Sequence, residues 1–98
     1  MTISKDQIKI INSLVPDACK ILASKVEGVY EVRDVKVSFE EEECTVDLYI
    51  TMLFGHKIPD TAWSIQNTVK DGLKSDLDYD IDKINIHIQG VSNDKKRS

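Results

Sequence analysis

Two histidines, two cysteines and one run of four glutamates are the residues with which this chain could do chemistry. His56 lies in the stretch FGHKIPD, residues 54–60, where a glycine, a histidine, a lysine and a proline fall within five positions. A histidine there could serve as a general base if a partner oriented it and a pocket shifted its pKa. No serine or cysteine nucleophile stands near it in the sequence, and no carboxylate pair has a recognisable spacing. A helix N-terminus attracts anions, but loops that exploit this are rich in glycine. Here Gly55 is alone, and Pro59 removes one N–H. The stretch therefore reads first as a strand-to-helix turn, and second as a contact of His56 and Lys57 with a partner or small anion.

Metal chemistry has less support. Structural zinc needs about four paired Cys or His ligands, and Cys19, Cys44, His56 and His87 are scattered. The glutamates Glu40 to Glu43 are consecutive and lack the glycine-bearing pattern of a calcium loop, so they read as a solvated hairpin turn. Cys19 falls on a helix and Cys44 starts a strand; both read as small, reduced core or edge residues. No catalytic, cofactor or metal residue is expected.

The elements that position these residues follow from periodicity. Residues 5–11, KDQIKII, are ambiguous: Ser4 and Gln7 have capping-box spacing, whereas Ile8 and Ile10 alternate as in a strand. The reading favoured is a short extended arm over residues 1–11. Asn12 or Ser13 then caps a helix of about residues 13–27, with Pro16 in its first turn and Gly28 closing it. Val15, Ala18, Leu22 and Val26 form its apolar stripe. Two strands follow, one with Val35, Val37 and Phe39 inward, the other with Val46, Leu48, Ile50, Met52 and Phe54 inward. Pro59 opens a second helix that runs to about Ser75 with Ala62, Ile65, Val69 and Leu73 on its stripe. A last strand turns Ile84, Ile86 and Ile88 inward.

The sum is α-β-β-α-β, an α/β (α+β) two-layer sandwich with a small mixed or antiparallel three-stranded sheet covered on one face by two helices. The crossover to the last strand is expected to be right-handed if that strand runs parallel. The first strand is expected between the other two. One domain fills residues 1–91, since 98 residues cannot bury two cores. Residues 92–98 form a basic tail, expected to be disordered, with Lys95, Lys96 and Arg97 as a solubilising end.

Composition closes off other classes. The hydrophobic fraction of 41% and charged fraction of 31% are those of a soluble globular chain. No apolar run approaches the roughly 20 residues of a membrane span, and the N-terminus does not resemble a secretory signal, so a cytoplasmic location is expected. A net charge of −4 opposes nucleic acid as the main partner. What remains is the outer sheet face, Tyr49, Thr51, Leu53, Asn85, His87 and Gln89, polar enough to be wet yet carrying Tyr49 and Leu53 as anchors. His87 reads as a surface histidine that meets Asp47 and Tyr49 only if their strands are neighbours. Trp63 reads as a core or rim aromatic, otherwise as an interface anchor.

In order and spacing, VEGVYEV, VDLYITMLFGHKIPDTAWSIQNTVKDGL and INIHIQGV resemble the alkaline-shock protein family of bacterial envelope-stress proteins. The matching positions are Gly28 and Val29, Phe54 and Gly55, Ile65 with Gln66 and Val69, and Ile84 with Asn85 and Ile86. The resemblance spans about residues 12–91. Pro16, Cys19, the glutamate turn and the missing glycine in SDLDYDID depart from the pattern, and the chain stops early, as in a short member. The resemblance implies a cytoplasmic, self-associating, non-enzymatic protein of cell-envelope homeostasis without cofactors. Some members reach the membrane through a separate anchor protein. Short members often occur beside a dihydroxyacetone-kinase-like protein of fatty-acid phosphorylation, which makes that protein a candidate partner. The alternatives are a small RNA- or ribosome-associated domain, disfavoured by charge and by the lack of a GxxG loop, and a small enzyme using His56.

Overall fold

The computed structural model describes the backbone of residues 5–93 and the side chains of residues 14–93. Its elements run α1 (Lys5–Ser24), β1 (Val29–Glu40), β2 (Glu43–Leu53), α2 (Ile58–Leu77) and β3 (Lys83–Ser92). The α-β-β-α-β order stands, with two helices and a three-stranded mixed sheet. The strand order does not: β2 is central, antiparallel to β1 and parallel to β3. The reason is visible in burial. On β2, Cys44, Val46, Leu48, Ile50 and Met52 are all essentially inaccessible, as only a middle strand can be.

The first helix is longer at its start than the sequence suggests. It begins at Lys5 and continues through Asn12, Ser13 and Pro16, so neither Asn12 nor Ser13 caps it and the extended arm is not found over 5–11. Ile8 and Ile11 continue the three-and-four spacing of Val15 and Ala18, and that period outweighs the short alternation of Ile8 with Ile10. Pro16 sits in the interior and leaves the Asn12 carbonyl without its usual donor. Ser4 and the basic residues Lys95, Lys96 and Arg97 lie outside the described residues. Gly28 does not close the helix, which ends at Ser24; with φ +99 it instead turns the chain into β1. A Cβ at this position would stand 2.8 Å from Thr61 Oγ1, so α2 and this turn approach closely because the residue is glycine.

Val15, Cys19 and Ala23 of α1 and Thr61, Ile65, Val69 and Leu73 of α2 are buried with the inner face of β2. The second helix thus presents Thr61 rather than Ala62. β1 starts at Val29, six residues before the expected alternation, because register shifts between Val29 and Glu31 and between Val32 and Asp34 break the period of two. Its hairpin to β2 turns on Glu41 and Glu42, both with positive φ. Phe39 and Phe54, expected inward, are exposed, Phe54 because β2 ends at Leu53. After α2 the chain turns at Asp78, with φ +51 and ψ +41. It is then tied to the start of β2 by a reciprocal pair: the Cys44 N–H donates to Asp82 Oδ2 at 2.6 Å and the Asp82 N–H to the Cys44 carbonyl at 2.9 Å. No described helix is long and apolar enough to cross a membrane.

Candidate interaction surface on the outer sheet face

Because β2 and β3 are neighbours, the condition for His87 to meet Asp47 and Tyr49 is fulfilled. The register sets Asp47 opposite Asn85 and Tyr49 opposite His87. In a strand, residues two apart share a face, so these four side chains project together from the side away from the helices. His87 Nε2 lies 2.8 Å from Asp47 Oδ1, and Asn85 Nδ2 donates to the same oxygen at 3.2 Å. The imidazole stacks on the Tyr49 ring, with centroids 4.6 Å apart and planes inclined by 11°. From β1, paired with Asp47, Lys36 places its ammonium 5.3 Å from the centre of the same ring. Such cation–π and stacking contacts are worth about 0.5–1.5 kcal/mol each and hold the rings in one orientation.

The electrostatics follow from this geometry. The hydrogen bond to His87 holds the Asp47 carboxyl below its ordinary value, with the Asn85 amide and the Lys36 charge adding to the effect. The result is an aromatic plate with a cation on one side and an anchored carboxylate on the other, all at the surface. These contacts hold the side chains in one arrangement within the free chain, and a prearranged surface loses less entropy on binding than a mobile one.

Of the residues singled out from the sequence, Tyr49, Asn85 and His87 are brought together, and Thr51 and Leu53 continue their row along β2. Gln89 does not join them. The register shifts between Ile50 and Thr51, so that Gly90 stands opposite Thr51. His56 and Lys57 lie elsewhere, in the turn before α2, around an open depression of about 330 Å³ with Glu27, Asp60, Thr61 and Ser64. Lys57 caps α2 by its backbone only, and no side-chain cap bond is made. Gly55, at φ +96, supplies the bend. Trp63 is not a core residue: it is 68% exposed on α2, in the helical layer and not on the outer sheet face. Sequence reasoning passed over Lys36 as part of this surface and mentioned Asp47 only through the strand order. Their signal was position, an outward charge on each strand, and it became legible only with the register.

Among the described residues, no three of His, Cys, Asp and Glu cluster closely enough to hold a metal ion. Cys19 and Cys44 are both free and buried, and burial pushes the Cys19 thiol up to about 12.

Comparison with known proteins settles the family. Residues 31–93 match the alkaline-shock protein family, which is described as having a "cell envelope-related function". The chain belongs to that family. It is the one that the sequence motifs resemble. YqhY of Bacillus subtilis is 30% identical over 108 residues, covering 92% of this chain and 80% of its own. Spy1535 of Streptococcus pyogenes is 29% identical over 91 residues, with 76% and 70% covered. YloU of B. subtilis is 36% identical over 59 residues, with 60% and 49% covered. Among solved structures, MamM CTD in a manganese form has a TM-score of 0.57 at 13% identity, covering 85% of this chain and 98% of that one. A variant of the same domain in a zinc form reaches 0.61 at 10% identity, covering 87% of each. At such identities the likeness concerns the fold alone.

Proposed function

We propose that this alkaline-shock domain is a non-enzymatic interaction protein of cell-envelope upkeep. It self-associates and docks a protein partner through its outer sheet face. The observation that carries the docking reading is the Lys36–Tyr49–His87–Asp47–Asn85 cluster. An ordinary wet sheet face has no need of an aromatic pair stacked at 4.6 Å, pinned by a carboxylate and left at the surface. Tyrosine flanked by fixed polar groups is what protein interfaces use at their centres. By family resemblance, the partner is a dihydroxyacetone-kinase-like component of fatty-acid phosphorylation or a membrane anchor protein, and the domain acts from the cytoplasm. His56 and Lys57 serve the turn.

The test is replacement in the source cell. Tyr49→Ala with His87→Ala should reproduce the envelope phenotype of a deletion while the purified variant keeps its circular dichroism. His56→Ala should leave that phenotype at wild type. A silent double variant together with a damaging His56→Ala would reverse the assignment and favour chemistry at the turn.

A further inference from the structure

The register shift that displaces Gln89 leaves an opening on the outer sheet face. Gly90 stands opposite Thr51, so the β3 position beside Thr51 carries no side chain, and a Cβ added there would meet nothing within 4 Å. Thr51 is itself short and lies between Tyr49 and Leu53, the two large side chains of its row. From Tyr49 to Leu53 the strand rises about 13 Å. Thr51 and Gly90 therefore form the floor of a notch that crosses two strands. The stacked Tyr49 and His87 rings make one wall and Leu53 the other.

The third strand brings carboxylates to the same place. Glu31 is paired with Thr51 and Asp34 with Tyr49, so both stand on the outer face at the β1 end of the notch. Their oxygens still have acceptor capacity, whereas Asp47 Oδ1 already serves His87 and Asn85. Glu31 meets Arg33 at 3.7 Å, too far for a hydrogen bond. Asp34 Oδ1 accepts from the Val35 N–H at 2.9 Å, and no described cation lies within ion-pair distance of its carboxylate. Lys36 stands on the other side of Tyr49, level with Asp47 and over the ring.

We propose that the notch receives an arginine side chain from a basic segment of the protein partner. Its aliphatic stem lies over Thr51 and Gly90 against the ring pair, and its guanidinium reaches Asp34 and Glu31. Arginine suits this site better than lysine. Its planar fork of five donors serves two carboxylates at once and packs against aromatic rings, whereas an ammonium is compact and strongly hydrated. The charge of the whole face agrees. Glu31, Asp34, Glu40, Glu43 and Asp47 outnumber Lys36 and Lys83, and Lys83 is already paired with Glu43 at 3.2 Å. A basic segment is the complement of such a face. The inference rests on the docking part of the reading above and names the chemistry of the partner.

Amide NMR spectra of the full chain, titrated with hexa-arginine and with hexa-lysine, test it. Hexa-arginine should shift the amides of Glu31, Asp34, Thr51 and Gly90 and bind about tenfold more tightly than hexa-lysine. Gly90→Leu fills the notch without changing charge, and its Cβ has open space, so the variant folds. It should weaken hexa-arginine binding about tenfold, and Asp34→Asn about fivefold. Equal binding of the two peptides would overturn the arginine site. So would shifts centred on the acidic stretches 40–43 and 76–82, or a Gly90→Leu variant that binds like wild type. In the source cell, Gly90→Leu should share the envelope phenotype of the Tyr49→Ala, His87→Ala double variant. A silent Gly90→Leu beside a damaging double variant would remove this inference and leave the docking reading standing. A silent double variant would remove both.

Discussion

Asp47 holds the outer-face cluster together, since its Oδ1 accepts from Asn85 and meets His87 Nε2 while the imidazole lies flat on Tyr49. Its folded pKa is depressed, so its contribution to stability is present above the ordinary carboxylate value of 3.8 and is lost as pH falls through the lower folded value. Carbon-detected NMR titration should find the Asp47 carboxyl titrating below 3.8 in wild type and moving up towards it in His87→Ala. An unchanged titration would mean that the hydrogen bond does not persist in solution. The buried Cys19 thiol, pushed up to about 12, is protonated at neutral pH. With Cys44 also buried, a thiol reagent should react with the chain only as fast as it unfolds. At the turn before β1, Gly28→Ala should cost about 1–3 kcal/mol in urea unfolding, from its left-handed φ and the contact with Thr61.

The elements show what could be read from the sequence. β2 was legible because its two faces differ chemically at every step from Cys44 to Leu53, and a period of two carries through unbroken. The first half of β1 was not, because two register shifts put its buried valines, Val29 and Val32, three residues apart. α1 was misread at its start, where seven residues fit both periods and a proline suggested an end that the helix passes through. Strand order lies beyond periodicity, since it depends on which strand both neighbours cover, and the Asp47–His87–Tyr49 cluster depended on that order. Trp63 reads by type as a core or rim aromatic, otherwise an interface anchor, and its place on α2 excludes only the core, since it is exposed. The hairpin offers a prediction of its own. Glu41 and Glu42 occupy left-handed conformations at φ +51 and +65, within four consecutive carboxylates. A primed turn of this kind favours Asn-Gly, so Glu41→Asn with Glu42→Gly should raise stability by about 1–2 kcal/mol in denaturant titration.

At the scale of the molecule, one face of the sheet is given over to the core and the other is left open. The helices α1 and α2 bury the inner face, with Val46, Leu48 and Ile50 fully inaccessible beneath them, and the outer face carries an ordered cluster accessible to partners. The family is cell-envelope related, and the docking reading proposed above makes the outer face the part of the domain that meets a partner. The most direct measurement of this account is a quantitative affinity capture from the source cell, comparing wild type with the Tyr49→Ala, His87→Ala double variant in soluble and membrane fractions. The account predicts that one kinase-like or membrane-anchor protein is recovered with wild type and falls at least tenfold with the variant. Equal recovery by both forms, or recovery dominated by ribosomal proteins, would contradict it.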